Sequence, residues 1–170
     1  MKQKFLPITL LAIVAISVCT CKKAKIKNRS CADDAAYFFE NDSSFIALPN
    51  IFTPNNDGVN DVFQAFGKGI KESHISVSKS NLSKTKVFES TDPAFMWDGK
   101  FKGKAIAENI YKYSIEVVFI SGKQYSHEGT ITLVIEKFSG ENCSKCAYGN
   151  QFNGKKFDLS LPPDPYAFCN

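Results

Sequence analysis

Ile110-Tyr111-Lys112-Tyr113-Ser114-Ile115-Glu116-Val117-Val118-Phe119-Ile120 is the stretch that decides the fold. Tyr111, Tyr113, Ile115 and Val117 alternate with Lys112, Ser114 and Glu116. A period of two puts these four large apolar groups on one face of an extended chain, the pattern of a half-buried strand. Ser121-Gly122 turns the chain, and Lys123 to His127 leads up to Gly129. From Thr130 to Glu136 the alternation returns with β-branched residues dominating, and this segment is predicted as the last strand of the body.

Working upstream, short apolar runs are separated by turn residues. Phe45-Ile46-Ala47-Leu48 ends at Pro49, and Asn50-Ile51-Phe52-Thr53-Pro54 closes on Asn55-Asn56-Asp57-Gly58. Val62 to Phe66 is broken by Gly67 and Gly69; His74 to Ser78 alternates with Ile75 and Val77 on one face; Lys86-Val87-Phe88 is followed by the Asp92-Pro93 turn. Six to eight such strands predict an all-β fold, an immunoglobulin-like antiparallel β-sandwich. Asp33 to Glu40 reads either as one helical turn or as an extended arm, and beyond Phe138 only Phe157 to Leu161 looks strand-like. The predicted organisation is a signal peptide over 1–20, a basic tether and N-terminal arm over 21–44, the sandwich over 45–137, and a cysteine-containing tail over 138–170 lying on the sandwich.

The chain has 170 residues, long enough for about one domain. Its 15 Phe supply a sizeable core and argue against global disorder. A net charge of +4 carries no broad nucleic-acid footprint, so no nucleic-acid partner is expected. The N-terminus is an address: Lys2 and Lys4 precede an apolar run from Phe5 to Val18, too short to span a bilayer comfortably. The run ends on Cys19-Thr20-Cys21, which resembles a bacterial lipoprotein signal, whose cysteine becomes the diacylated first residue. Cys21 is the better acceptor: the smaller Thr20 precedes it, whereas Val18 precedes the alternative, Cys19. Lipidation at Cys21 also leaves an even set, Cys31, Cys143, Cys146 and Cys169. The basic run Lys22 to Arg29 reads as a tether, solvated or resting against anionic headgroups.

Three features are candidates for chemistry. Asn55, Asp57, Asn60 and Asp61 around Gly58 form an oxygen-rich loop of the kind calcium takes; the plainer reading is a hydrogen-bonded Asx turn. Apart from calcium there, no cofactor is implied. Cys143-Ser144-Lys145-Cys146 has the spacing of a thiol oxidoreductase pair, but the residues after it are poor helix formers. Structural disulfides fit a secreted protein better, with Cys31 bonded to Cys143 or Cys146 and Cys169 to the other. His74 and His127 lie far apart, without a triad partner at motif spacing. No enzyme activity is expected.

A family resemblance rests on Leu48-Pro49-Asn50-Ile51-Phe52-Thr53-Pro54-Asn55-Asn56-Asp57-Gly58-Val59-Asn60-Asp61-Val62-Phe63, then Val87 to Ser90, Trp97-Asp98-Gly99-Lys100, Ile110 to Tyr113 and Gly129 to Val134. In this order they resemble the gliding motility-associated C-terminal domain, the type B sorting domain of the type IX secretion system. The positions carrying the match are Asn50, Phe52, Thr53, Pro54, Asn55, Asp57, Gly58, Asn60, Asp61, Trp97, Asp98, Gly99 and Tyr111. The resemblance implies an immunoglobulin-like fold in which Trp97 is a core and turn element. Three features depart from the family pattern. Ser80 to Lys84 replaces an Asn-Arg-Trp-Gly turn, Asn109 stands where a glycine is usual, and residues 138–170 follow a domain that normally ends its protein.

Together these readings lead to a non-enzymatic, lipid-anchored outer-membrane protein, facing the periplasm or the cell surface. It would offer its sandwich to an envelope or secretion-machinery protein, for example by an exposed strand edge, with Tyr125, Tyr148 and Tyr166 as the first aromatics to test. The alternative is a working type IX sorting module.

Overall fold

A computed structural model of the protein describes residues 31, 33–135, 138–139, 145–163 and 167–168. In chain order the strands are β1 (Ala36–Asn41), β2 (Ser44–Leu48), β3 (Ile51–Phe52), β4 (Phe63–Gln64), β5 (Phe66–Lys68), β6 (Ile70–Lys79) and β7 (Lys86–Ser90). There follow β8 (Met96–Trp97), β9 (Lys100–Phe101), β10 (Lys104–Ala105), β11 (Asn109–Phe119), β12 (Gln124–Leu133), β13 (Phe138–Ser139) and β14 (Ala167–Phe168). The fold is all-β. One layer is the five-stranded sheet β3-β12-β11-β6-β7; the other is the three-stranded sheet β1-β2-β5, and the pairs β4-β8 and β9-β10 close one end.

The alternating stretch lies in β11, at the centre of the larger sheet. Tyr113 stands opposite Gly129 of β12 and Val77 of β6, so Tyr111, Tyr113, Ile115 and Val117 face inward with Ile75, Val77, Ile131 and Leu133. Ala36, Ile46 and Leu48 of the smaller sheet meet them in the same cluster, together with Phe52, Phe63 and Trp97. Burying a side chain of this size stabilises by roughly 1.5–3 kcal/mol, which is what holds the two layers together.

Several elements differ from the sequence expectation. Of the two readings open for Asp33 to Glu40, the extended arm holds from Ala36, where β1 pairs along β2 with Phe39 opposite Phe45. The smaller sheet thus draws its edge strand from the 21–44 arm. The two pieces expected on either side of Gly129 are one strand, β12, which ends at Leu133. Gly129 does not break it; the Tyr113 ring covers the space its missing side chain leaves. Pairing in the larger sheet is antiparallel except between β3 and β12, which run parallel. Asn109 begins β11 and does not have a left-handed backbone. Within Phe157 to Leu161 only Phe157 is strand-like, through an isolated bridge to Phe152, and Leu161 closes a turn onto Asp158.

The tail is part of the body. Ile51 and Thr132 are paired opposite each other and point away from the main core. There Cys31, Cys146, Val134 and Tyr148 join Ile51 in a second buried cluster. From this corner the tail runs past the 53–61 loop, where Asn150 bonds Asn60. It continues over the outer side of the smaller sheet, where Phe152 packs on Phe45 and Phe66 at ring separations of 6.1 and 5.1 Å. The tail therefore straps one end of the sandwich.

Candidate functional site

The resembling motif folds into that strapped end. Between β3 and β4 the loop must reverse within a few residues, and it does so with left-handed backbone at Asn56, Gly58 and Asn60. Asn and Gly tolerate that region best. The loop's own oxygens hold it: Asp61 accepts the N–H groups of Asn56 and Gly58 at 2.6 and 2.8 Å. Asp57 accepts from Val59 N–H at 2.8 Å and from the Asn55 amide at 3.1 Å, while Asn55 Oδ1 accepts from Asp57 N–H. The four residues read as calcium donors are thus assembled in one loop, with Asn55, Asp57 and Asp61 turned onto the loop's own donors and Asn60 onto the tail. Among the described residues no three His, Cys, Asp or Glu side chains gather at metal-binding range.

The second motif segment packs beside the first. Trp97 is buried with its indole N–H donating to Lys100 O at 3.0 Å, and its ring lies 5.3 Å from Phe52 and 5.5 Å from Tyr111. Gly99 is left-handed and close to Pro54 and Leu133, so a side chain there would collide with both. Asp98 accepts from the Lys100 backbone N–H and ammonium; that ammonium contact holds its carboxyl below the usual range. Pro54, Asn56 and Asp61 share a 270 Å³ cleft with Asp98 and Gly99. Tyr111 donates to Ala107 O at 2.6 Å, four residues upstream, in the manner of the tyrosine corner of immunoglobulin-like sandwiches.

Asn50 has the most connected side chain in the motif. It is 2% exposed. Its Nδ2 donates to Asp33 O at 2.7 Å and Lys145 O at 2.6 Å, and its Oδ1 accepts from Ala147 N–H at 2.7 Å. Its backbone N–H donates to Ala147 O, and its own carbonyl accepts from Thr132 N–H. One motif residue therefore joins the N-terminal arm, the tail and the edge of the larger sheet. Cys31 and Cys146 are disulfide-bonded beside it, across 115 residues of sequence.

The sequence marked Asn50 only as part of a pattern, and nothing in it announced the Asn60–Asn150 or Asn50–Ala147 contacts. The one available signal was an amide placed between Pro49 and the apolar pair Ile51-Phe52. Of the two partners open to Cys31, Cys146 is the one bonded, which removes it from a Cys143–Cys146 redox pair. Cys19, Cys21, Cys143, Cys169 and Tyr166 lie outside the described residues. Tyr148, proposed as an exposed aromatic, is fully buried, and Tyr125 is half-buried against Phe38; among the described residues the exposed aromatics are Tyr37 and Phe39 on β1. His74 lies on the surface 3.0 Å from Glu89.

The family model of the CHU_C type IX secretion signal domain matches residues 46–133, from β2 to the end of β12. The chain belongs to this family. None of the curated proteins matches it. Membership links the protein to type IX secretion and places it in the envelope or among secreted proteins. The matched span ends just before the tail, so the strap is an addition to the type IX secretion signal domain, anchored on that domain's own Asn50 and Asn60. No helix among the described residues is long and apolar enough to cross a membrane.

Proposed function

We propose that this protein is a non-enzymatic, lipid-anchored envelope component of type IX secretion. Cys21, or Cys19 as the alternative, carries the anchor in the outer membrane, and the sandwich engages an envelope or secretion-machinery protein by surface complementarity. The observation that supports a binding role is the use of the polar motif side chains. Asn50, Asp57, Asn60, Asp61 and Asp98 are spent on backbone groups, the tail and neighbouring side chains, as in a scaffold. Calcium at the 55–61 loop is not required by this reading, since the loop supplies its own donors. Metabolic labelling with an alkyne fatty acid tests the anchor. Label is expected on the wild-type protein and lost in Cys21→Ala; label retained in Cys21→Ala and lost in Cys19→Ala moves the anchor, and an unlabelled wild type refutes it.

A second reading has the domain act as a sorting signal, and the family match over 46–133 favours it. Its test is export of a reporter fused ahead of residues 45–137 or 45–170. Export of the shorter fusion alone fits a signal masked by the strap. Retention of both fits the anchored binding module. The thiol oxidoreductase reading predicts insulin reduction; with Cys146 bonded to Cys31, no turnover is expected.

A further inference from the structure

We propose that the corner around Asn50 is a peptide-docking site, filled in this protein by its own tail, whose ligand is a short segment with a small residue followed by a tyrosine in extended backbone. Asn50 reads main chain rather than side chain. Its backbone N–H and its Oδ1 take both the carbonyl and the N–H of Ala147, and its Nδ2 takes the carbonyl of Lys145. Hydrogen bonds to main chain give affinity, and a pocket for the next side chain gives selectivity. The pocket is the second buried cluster, where Tyr148 is fully enclosed against Ile51 and Val134.

The occupant is a compact unit in its own right. Gln151 accepts from Tyr148 N–H, donates to Leu161 O and takes Asp158 N–H on its backbone carbonyl. Phe152 and Phe157 add a second foothold on Phe66. Two circumstances keep this unit in place. Tethering gives it an effective concentration on the order of millimolar, and the Cys31–Cys146 bond locks it beside the corner. A free peptide therefore gains access only after the lock is opened. A dithiol opens it by giving two electrons and two protons, leaving Cys31 and Cys146 as thiols and becoming a disulfide itself.

The test uses the full chain with a protease recognition sequence inserted between Lys137 and Phe138, folded, cut, and then reduced with dithiothreitol. The probe is a fluorescent synthetic peptide of residues 145–161 carrying Cys146→Ser. The expected result is saturable exchange of the probe for the cut tail in the reduced sample and none in the cut, unreduced one. Tyr148→Ala in the probe, or Asn50→Ala in the protein, is expected to weaken binding by about tenfold or more, which is 1.4 kcal/mol or more. The probe variant keeps the test valid should Asn50→Ala fail to fold. Absence of exchange after reduction, or equal binding of the Tyr148→Ala probe, overturns the proposal. The assay needs neither anchor nor secretion machinery, so its failure is distinct from failure of the export reading.

Discussion

At the scale of the residue, Asn50 carries more of the architecture than any other motif position. Removing its carboxamide strands the buried Ala147 N–H and the partly buried Asp33 O and Lys145 O. Each buried group left without a partner costs roughly 1–3 kcal/mol. Asn50→Ala is therefore expected to lower stability by about 3 kcal/mol or more in urea unfolding, and Asn50→Asp to recover little, since a carboxylate cannot donate to the two carbonyls. Gly99 and Gly103 make a sharper pair. Both are left-handed, but a Cβ at Gly99 meets Leu133 at 2.8 Å and Pro54 at 3.1 Å, whereas at Gly103 it meets nothing. Gly103→Ala should cost only the backbone term, about 1–2 kcal/mol, and Gly99→Ala clearly more in the same unfolding assay.

Tyr113 supplies a pH prediction at this scale. Burial, with smaller contributions from Tyr125 and Asp33, pushes its phenol well above the ordinary value, and burial also raises Tyr111 and Tyr125. A group whose folded pKa is raised contributes stability that is fully present below its unfolded pKa of about 10 and is lost as pH rises beyond it. Stability is thus expected to fall on the alkaline side above pH about 10. Phenolate absorbance should show Tyr113 ionising only with unfolding. A Tyr113→Phe variant whose alkaline limb matches the wild type would contradict this assignment.

At the scale of the element, the central strands were legible because β11 and β6 separate apolar from polar residues on two faces. β12 was harder to read. Gly129 looks like punctuation, yet it is the place where the Tyr113 ring lies against backbone, with its Oη only 2.8 Å from where a Cβ would sit. Gly129→Ala should displace that ring, lower the urea midpoint and alter the near-ultraviolet circular dichroism; an unchanged spectrum would refute the ring's role. β1 was ambiguous because Tyr37 and Phe39 stay exposed on one face, so the pattern does not name a buried side. The 53–61 motif was legible as a turn, since Asn56, Gly58 and Asn60 tolerate the backbone it needs. The tail was not, because its order comes from contacts tens of residues away, at Asn50, Asn60, Phe45 and Phe66. Phe152→Ala removes one foothold and is expected to speed hydrogen exchange in residues 145–163 while leaving β11 and β12 protected.

At the scale of the whole molecule, the tail is packed on the matched domain and held there by the Cys31–Cys146 bond. A link spanning 115 residues removes a large share of the unfolded chain's freedom, worth about 4–5 kcal/mol on the loop-entropy account. The paired variant Cys31→Ser with Cys146→Ser should lose a comparable amount. It should also loosen the strap before the sandwich, giving faster exchange in 145–163 than in β11. The type IX secretion signal domain of this chain carries a strap that uses two of its motif's own asparagines. The measurement that tests this most directly is non-reducing peptide mapping by mass spectrometry on protein from native membranes. The account predicts a peptide carrying Cys31 joined to one carrying Cys146, disappearing on reduction. A Cys143–Cys146 bond, or a freely alkylated Cys146, would contradict it.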